Sequence, residues 1–130
     1  MEWNLLSDVT SQTLAAALRG AAARHAALAD NIANVDTPGF VRTDVDFEKA
    51  LALALDRARR APQRAADLLA ATPLRTRRDH LAPARADGNN VDIDREMAAL
   101  ARNALRYQAA SEALAARIRM LRAAISQGRR

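Results

Sequence analysis

The chain has no cysteine, so neither a disulfide framework nor a thiolate metal site is open to it, and its redox compartment is left free. Aromatic residues are nearly missing: Trp3, Phe40, Phe47 and Tyr107 are the whole set. No apolar run approaches the roughly 18 residues that a membrane-spanning helix needs. The segment from Met1 to Leu18 lacks the basic start and apolar centre of a secretory signal. If the protein leaves the cytoplasm, another route is expected. Only two histidines are present, His25 and His80, and neither stands near an acid or nucleophile at a spacing that supports a hydrolytic triad or a zinc site.

What the chain does have is alanine. Half of its 130 residues are hydrophobic and 33 are alanine. Alanine adds little buried area, but it has the best helix propensity and lets helices approach closely. One domain of long, thin, all-α packing is the expected class, and a thick globular core is not.

Charge is unevenly spread. Residues 1–50 carry a net charge of −3, residues 51–86 of +5 and residues 87–130 of +3, giving +5 in all. Nineteen of the twenty basic residues are arginine. No aromatics interleave with them and no binding motif accompanies them, so nucleic acid is not the expected partner.

Two stretches carry heptad spacing. Leu14, Leu18, Ala21, His25, Leu28, Ile32 and Val35 form one seam at alternating steps of four and three. A longer one runs through Ile93, Met97, Leu100, Ala104, Tyr107, Ser111, Leu114, Ile118, Leu121 and Ile125. Such spacing keeps one stripe facing a partner helix, as a coiled coil or bundle requires. The second helix begins at "DGNNVDID", with a turn at Asp87-Gly88, Asp92 as N-cap, and Asp94 and Glu96 complementing the helix dipole. Gly128 is its expected stop. His25 is expected to set seam register, Tyr107 to pack, and His80 to be solvated.

The first helix ends in "LADNIANVDTPGF". Thr37 before Pro38 is biased to extended backbone, and Pro38-Gly39 suits the centre of a type II turn, which needs a positive φ at the glycine. Asn31 and Asn34 stand ready to satisfy the backbone groups freed there. Beyond the turn, Glu48 to Arg59 suits a short helix. Residues 61–90, broken by Pro62, Pro73 and Pro83, are expected to be irregular or flexible, apart from one helical turn at Ala65–Ala70. The cluster Asp87, Asn89, Asp92 and Asp94 lacks the spacing of a calcium loop, so turn plus cap is the better account. Nothing assembles an active site.

The organisation expected is therefore an N-terminal helix over 1–36, a turn and short helix over 37–60, a linker over 61–90 and a coiled-coil helix over 91–128. Weak alanine-rich seams suit a chain whose order is completed on assembly. Pairing of the two seams within one chain and pairing with other subunits are both compatible with them.

The run "LADNIANVDTPGF" resembles the N-terminal signature of bacterial flagellar axial proteins, falling on Asn31, Asn34, Thr37, Pro38, Gly39 and Phe40. "VRTDVDFEKAL" and "DGNNVDIDREMAALARNALRYQ" narrow the likeness to the flagellar basal-body rod protein FlgB family, over about residues 5–55 and 78–127. The resemblance implies a non-enzymatic subunit of the proximal rod that transmits torque from the membrane ring toward the hook. It would need no cofactor or metal. It implies packing of terminal helices with neighbouring subunits, and export by the flagellar type III apparatus without a cleaved signal into a periplasmic rod. Other rod subunits, the adaptor FliE and the inner-membrane MS ring are the implied partners. The assembly seam would use Leu14, Leu18, Leu28, Ile32, Ile93, Met97, Leu100, Tyr107, Leu114, Ile118, Leu121 and Ile125. The competing reading is a basic helical adaptor that binds an acidic partner or nucleic acid through Arg57–Arg85.

Overall fold

The computed structural model describes residues 8–128. The first seven residues of the expected N-terminal helix lie outside that range. Asp8 caps the first helix, α1 (Val9–Ala33), by accepting a hydrogen bond from the Ser11 amide at 3.2 Å. After the turn come β1 (Thr43–Asp46) and α2 (Glu48–Arg60), then a 3₁₀ turn (Pro62–Arg64) leading into α3 (Ala65–Ala70). Strand β2 (Arg75–Arg78) and the long α4 (Ile93–Gln127) complete the chain. The Asp92 carboxylate accepts from the amides of Asp94 and Arg95, as the first-turn sequence predicts, and Gly128 follows the last turn. With 35 residues at about 1.5 Å each, α4 is roughly 50 Å long.

Helices α1 and α4 pack against each other in opposite directions. Arg117 on α4 reaches Asp8 at 2.6 Å, Asn103 meets the Ala21 carbonyl, and Glu96 meets Asn31. Rising numbers on one helix thus meet falling numbers on the other.

On a second side of α1 sits the hairpin of α2 and α3, whose core is Ala54, Ala58, Ala65 and Leu69, flanked by Val9, Leu51 and Leu55. Mostly alanine, this core is thin, and specific polar clamps assist it. The Arg19 guanidinium donates to the Leu69 and Ala70 carbonyls at the end of α3, where a cation complements the orphaned acceptors. Arg24 binds Glu48 at the start of α2, donates to the Val45 carbonyl and lies 4.9 Å from the centre of the Phe47 ring. Phe47 is buried directly on Gly20; a Cβ there would stand 2.3 Å from a ring carbon. Glycine at position 20 is thus a matter of space.

One feature departs from an all-α chain. Strands β1 and β2 pair antiparallel in the register Thr43 to Arg78 and Asp46 to Arg75. The segment "RTRR" has no alternating apolar pattern and is exposed throughout, so it carries no strand signal of its own. Backbone pairing with β1 makes it a strand. The middle is accordingly less irregular than its prolines suggest, with the 3₁₀ turn and β2 added to the helical turn expected at Ala65–Ala70. Among the described residues no helix is long and apolar enough to cross a membrane.

Candidate functional site

The end of α1 forms a corner held from both sides of the sequence. The Phe40 amide donates to the Thr37 carbonyl at 3.2 Å, and Gly39 has φ of 72°, the positive value that a type II turn places at its third residue. Against this turn lies the one that precedes α4. The Gly39 amide donates to the Asp87 carbonyl at 2.8 Å, and the Asn90 amide to the Phe40 carbonyl at 3.2 Å. Gly88, with φ of 81°, sits so close that a Cβ on it would be 3.4 Å from the Gly39 Cα. Two left-handed glycines therefore meet back to back.

Asparagine side chains join the two turns. Asn89 is fully buried; its Nδ2 donates to the carbonyls of Asn34, Val35 and Thr37 at 2.9, 3.1 and 2.7 Å, in the turn where α1 stops. Its Oδ1 accepts from the Val91 amide. Asn34 turns inward on its own segment, donating to Asp30 and accepting from the Thr37 hydroxyl. Asn31, also fully buried, exchanges two hydrogen bonds with the Thr43 backbone at 2.7 and 2.8 Å and donates to Glu96 Oε2 at 3.0 Å. Every polar atom of that side chain has a partner.

Beside Asn31 is a buried charge. Glu96 is 1% exposed and its Oε1 accepts from Arg42, whose other guanidinium nitrogen reaches Asp79 at 2.9 Å. Asn90 accepts from the Arg42 amide and donates to the Asp79 carbonyl. Burial opposes the Arg42 charge, yet the hydrogen bond and charge of Glu96, with the Asp79 hydrogen bond and the Asp44 charge, outweigh it and raise the guanidinium above its ordinary pKa. For Asp79, burial likewise acts against ionisation, and the Leu81 amide together with Arg42 wins, lowering its carboxyl. Asp87 is lowered first by the Asn89 amide and also by Arg85. A basin of about 440 Å³ opens over this cluster, rimmed by Asp92, Arg95 and Arg102.

The sequence singled out Asn31, Asn34, Thr37, Pro38, Gly39 and Phe40, and all six belong to this corner; Thr37, Pro38 and Gly39 are exposed on it and Phe40 is half-buried. It did not single out Asn90, Arg42 or Asp79, it read Asn89 only as part of the turn and cap before α4, and it read Glu96 only as a dipole complement. The signal available was the pair Asn89-Asn90 directly after Asp87-Gly88, two amide side chains where a turn alone needs none.

The heptad residues divide differently. Leu28 is buried, while Leu14, Leu18, Ile32, Leu100, Leu114, Ile118 and Leu121 are half-buried. Ile93, Met97, Tyr107 and Ile125 are 45% to 52% exposed. The buried residues of α4 are Glu96 and Asn103 instead, on a line that also includes Arg117. Polar residues of α4 thus close on α1, and its apolar stripe is turned aside by less than a quarter turn, at about 100° per residue. His25 is exposed at the edge of the pair, and the polar residues buried between the helices are Asn31, Glu96 and Asn103.

The chain is similar to known proteins. A family model described as flagella basal body rod protein matches residues 12–40, the span of α1 and the corner turn. The chain is 35% identical over 123 residues to the flagellar basal body rod protein FlgB of Escherichia coli (strain K12), covering 86% of this chain and 89% of that protein. The FlgB of Yersinia enterocolitica is 34% identical over 131 residues, with 86% and 90% covered, and that of Borrelia hermsii 38% over 102 residues, with 65% and 71% covered. On these matches the chain belongs to the flagellar basal body rod protein FlgB family, a family of structural rod proteins.

Proposed function

We propose that this chain is a non-enzymatic structural subunit of the proximal rod, transmitting torque from the membrane ring toward the hook, and that it assembles through the outward apolar stripe of its terminal helices. The observation that carries the reading is the division of α4: its polar line closes on α1 within the chain, and Ile93, Met97, Tyr107 and Ile125 stay exposed along a helix of 35 residues. A rigid antiparallel pair locked at one end by a buried ion pair suits a part that bears load. The stripe supplies apolar area for neighbours at about 25 cal/mol per Å². Other rod subunits, the adaptor FliE and the MS ring are the partners in this reading, reached from the periplasmic side after export through the flagellar type III apparatus.

Photocrosslinking in cells from Met97 and from Ile93 tests it. Capture of rod or ring components is the expected result. Capture confined to nucleic acid or to an acidic protein outside the basal body would favour the basic-adaptor reading, for which the exposed Arg75, Arg77 and Arg78 of β2 supply the charge.

A further inference from the structure

The two-stranded sheet is closed on one side only. On β1, the Thr43 amide and carbonyl both bind Asn31 of α1, and the Val45 carbonyl accepts from Arg24. These residues turn their backbone groups away from β2, and in an antiparallel ladder their partners Arg78 and Thr76 do the same on the far side. The next pair keeps the alternation, since the Asp79 amide donates inward to the Arg42 carbonyl at 3.0 Å. The N–H and C=O groups of Thr76 and Arg78 therefore point outward, and among the described residues no third strand meets them. Beside the start of β2 opens a groove of about 580 Å³, lined from α2 by Lys49, Ala50 and Leu53 and otherwise by Pro73, Arg75 and Arg77 among others. Leu53 is 61% exposed there.

We propose that β2 takes up an extended acidic segment of another protein as a third strand. The Thr76 and Arg78 backbone groups complete the ladder, carboxylates of the segment face the cations, and an apolar side chain covers Leu53. Charge selects this occupant. Lys49, Arg75, Arg77 and Arg78 stand along the groove and edge against one acid, Asp46, and none of the four cations makes an ion pair among the described residues. A second copy is a poor fit, because two Arg75–Arg78 edges side by side would set arginine against arginine. The chain's own acid-bearing extended run, Thr43–Asp46, is already spent in β1. Nucleic acid would meet the arginines but has no peptide N–H and C=O with which to continue the ladder.

The test uses the purified full chain and a capped probe peptide of about six residues, long enough to span β2, in which glutamate alternates with valine. Followed by amide NMR, the saturating probe should slow hydrogen exchange at Thr76 and Arg78 by about 5-fold or more and leave Arg77, already paired to β1, as it was. Thr76→Pro removes an outward N–H and spares the ladder to β1, so it should weaken the probe at least ~5-fold with circular dichroism unchanged. Lys49→Gln combined with Arg78→Gln should weaken it ~3-fold at low salt and less at high salt. Should Thr76→Pro disturb the fold, two probes N-methylated on alternate sets of amides decide with the native chain: the one whose methyl groups face β2 should lose binding. Equal binding by those two, no binding of the parent probe, or equal binding of a probe with lysine for glutamate would overturn the proposal. So would an oligothymidylate that protects the same amides as well as the parent probe does. This edge is distinct from the apolar stripe of α4, so crosslinking in cells from Met97 and Ile93 stands or falls independently.

Discussion

The two sides of the α1–α4 pair are built on opposite plans. At the corner, polar groups drawn from positions about 50 residues apart satisfy one another almost completely: Asn31, Asn89 and Asn90 leave no buried side-chain atom unpaired, and Glu96 is held by Arg42 and Asn31. On the outward face, Met97 and Tyr107 stand exposed and Asn103 keeps an unpaired oxygen. The corner is finished within one chain, and the outward face is not. Hydrogen bonding therefore fixes the shape of the subunit, and in the proposed assembly the exposed apolar surface is what neighbouring molecules cover.

The largest way to break this contrast is Arg42→Ala. Removing the cation leaves Glu96 buried without its ion partner, a change that costs roughly 3 kcal/mol or more. Thermal or chemical melts should show it, and Glu96→Gln in the same background should recover part of the loss. If the single and double variants melt alike, the buried charge is not what the corner depends on.

Gly39→Val comes next. Nothing stands within 4 Å of the Cβ it would add, so the cost is confined to the backbone at φ of 72° and should be about 1–2 kcal/mol. Rod assembly, read by swimming or by isolation of basal bodies, should suffer more than secretion of the variant. Normal rods would refute the role of the corner as the point where the chain must turn.

Acid should loosen the clamps gradually. Glu48 is lowered from its ordinary 4.5, chiefly by the Arg24 hydrogen bond. Asp79 and Asp8 are lowered from 3.8 against their own burial, by the Leu81 amide and Arg42 in one case and by Ser11 and Arg117 in the other. A carboxyl depressed in the folded state stabilises it fully above the unfolded value and loses that contribution as pH falls through the folded one. Melting temperature should therefore be flat down to about pH 5 and fall below about pH 4.5. Arg24→Gln should flatten the Glu48 part of that fall.

The smallest effect on stability and the sharpest on assembly belongs to the outward face. Met97→Ser should change the melt of the isolated chain by no more than ~0.5 kcal/mol, because the side chain is 52% exposed. In cells it should weaken capture of neighbours and impair swimming. A variant that melts early but swims normally would invert the comparison.

Much of the fold was legible because it is local. Asp92 as cap, Pro38-Gly39 as a turn, and the spans of α1, α2, α3 and α4 arise from propensity, capping and turn chemistry within a few residues. The strand at Arg75–Arg78 was not legible, since its only reason to be extended is the ladder it makes with Thr43–Asp46, a segment remote in sequence and separated from it by α2 and α3. The roles of Asn89 and Asn90 were hidden for the same reason, because the carbonyls and amides they satisfy belong to the end of α1 and the turn after it.

Sequence by itself therefore determined two long helices, both ends of the second, and a corner where the first of them stops. Tertiary structure alone decided which side of each helix closes. The heptad stripe and the line through Glu96, Asn103 and Arg117 lie on neighbouring faces of one helix, and periodicity favours the apolar one. The rotation was settled by hydrogen bonds to Asn31, the Ala21 carbonyl and Asp8, partners 65, 82 and 109 residues away that no local window contains.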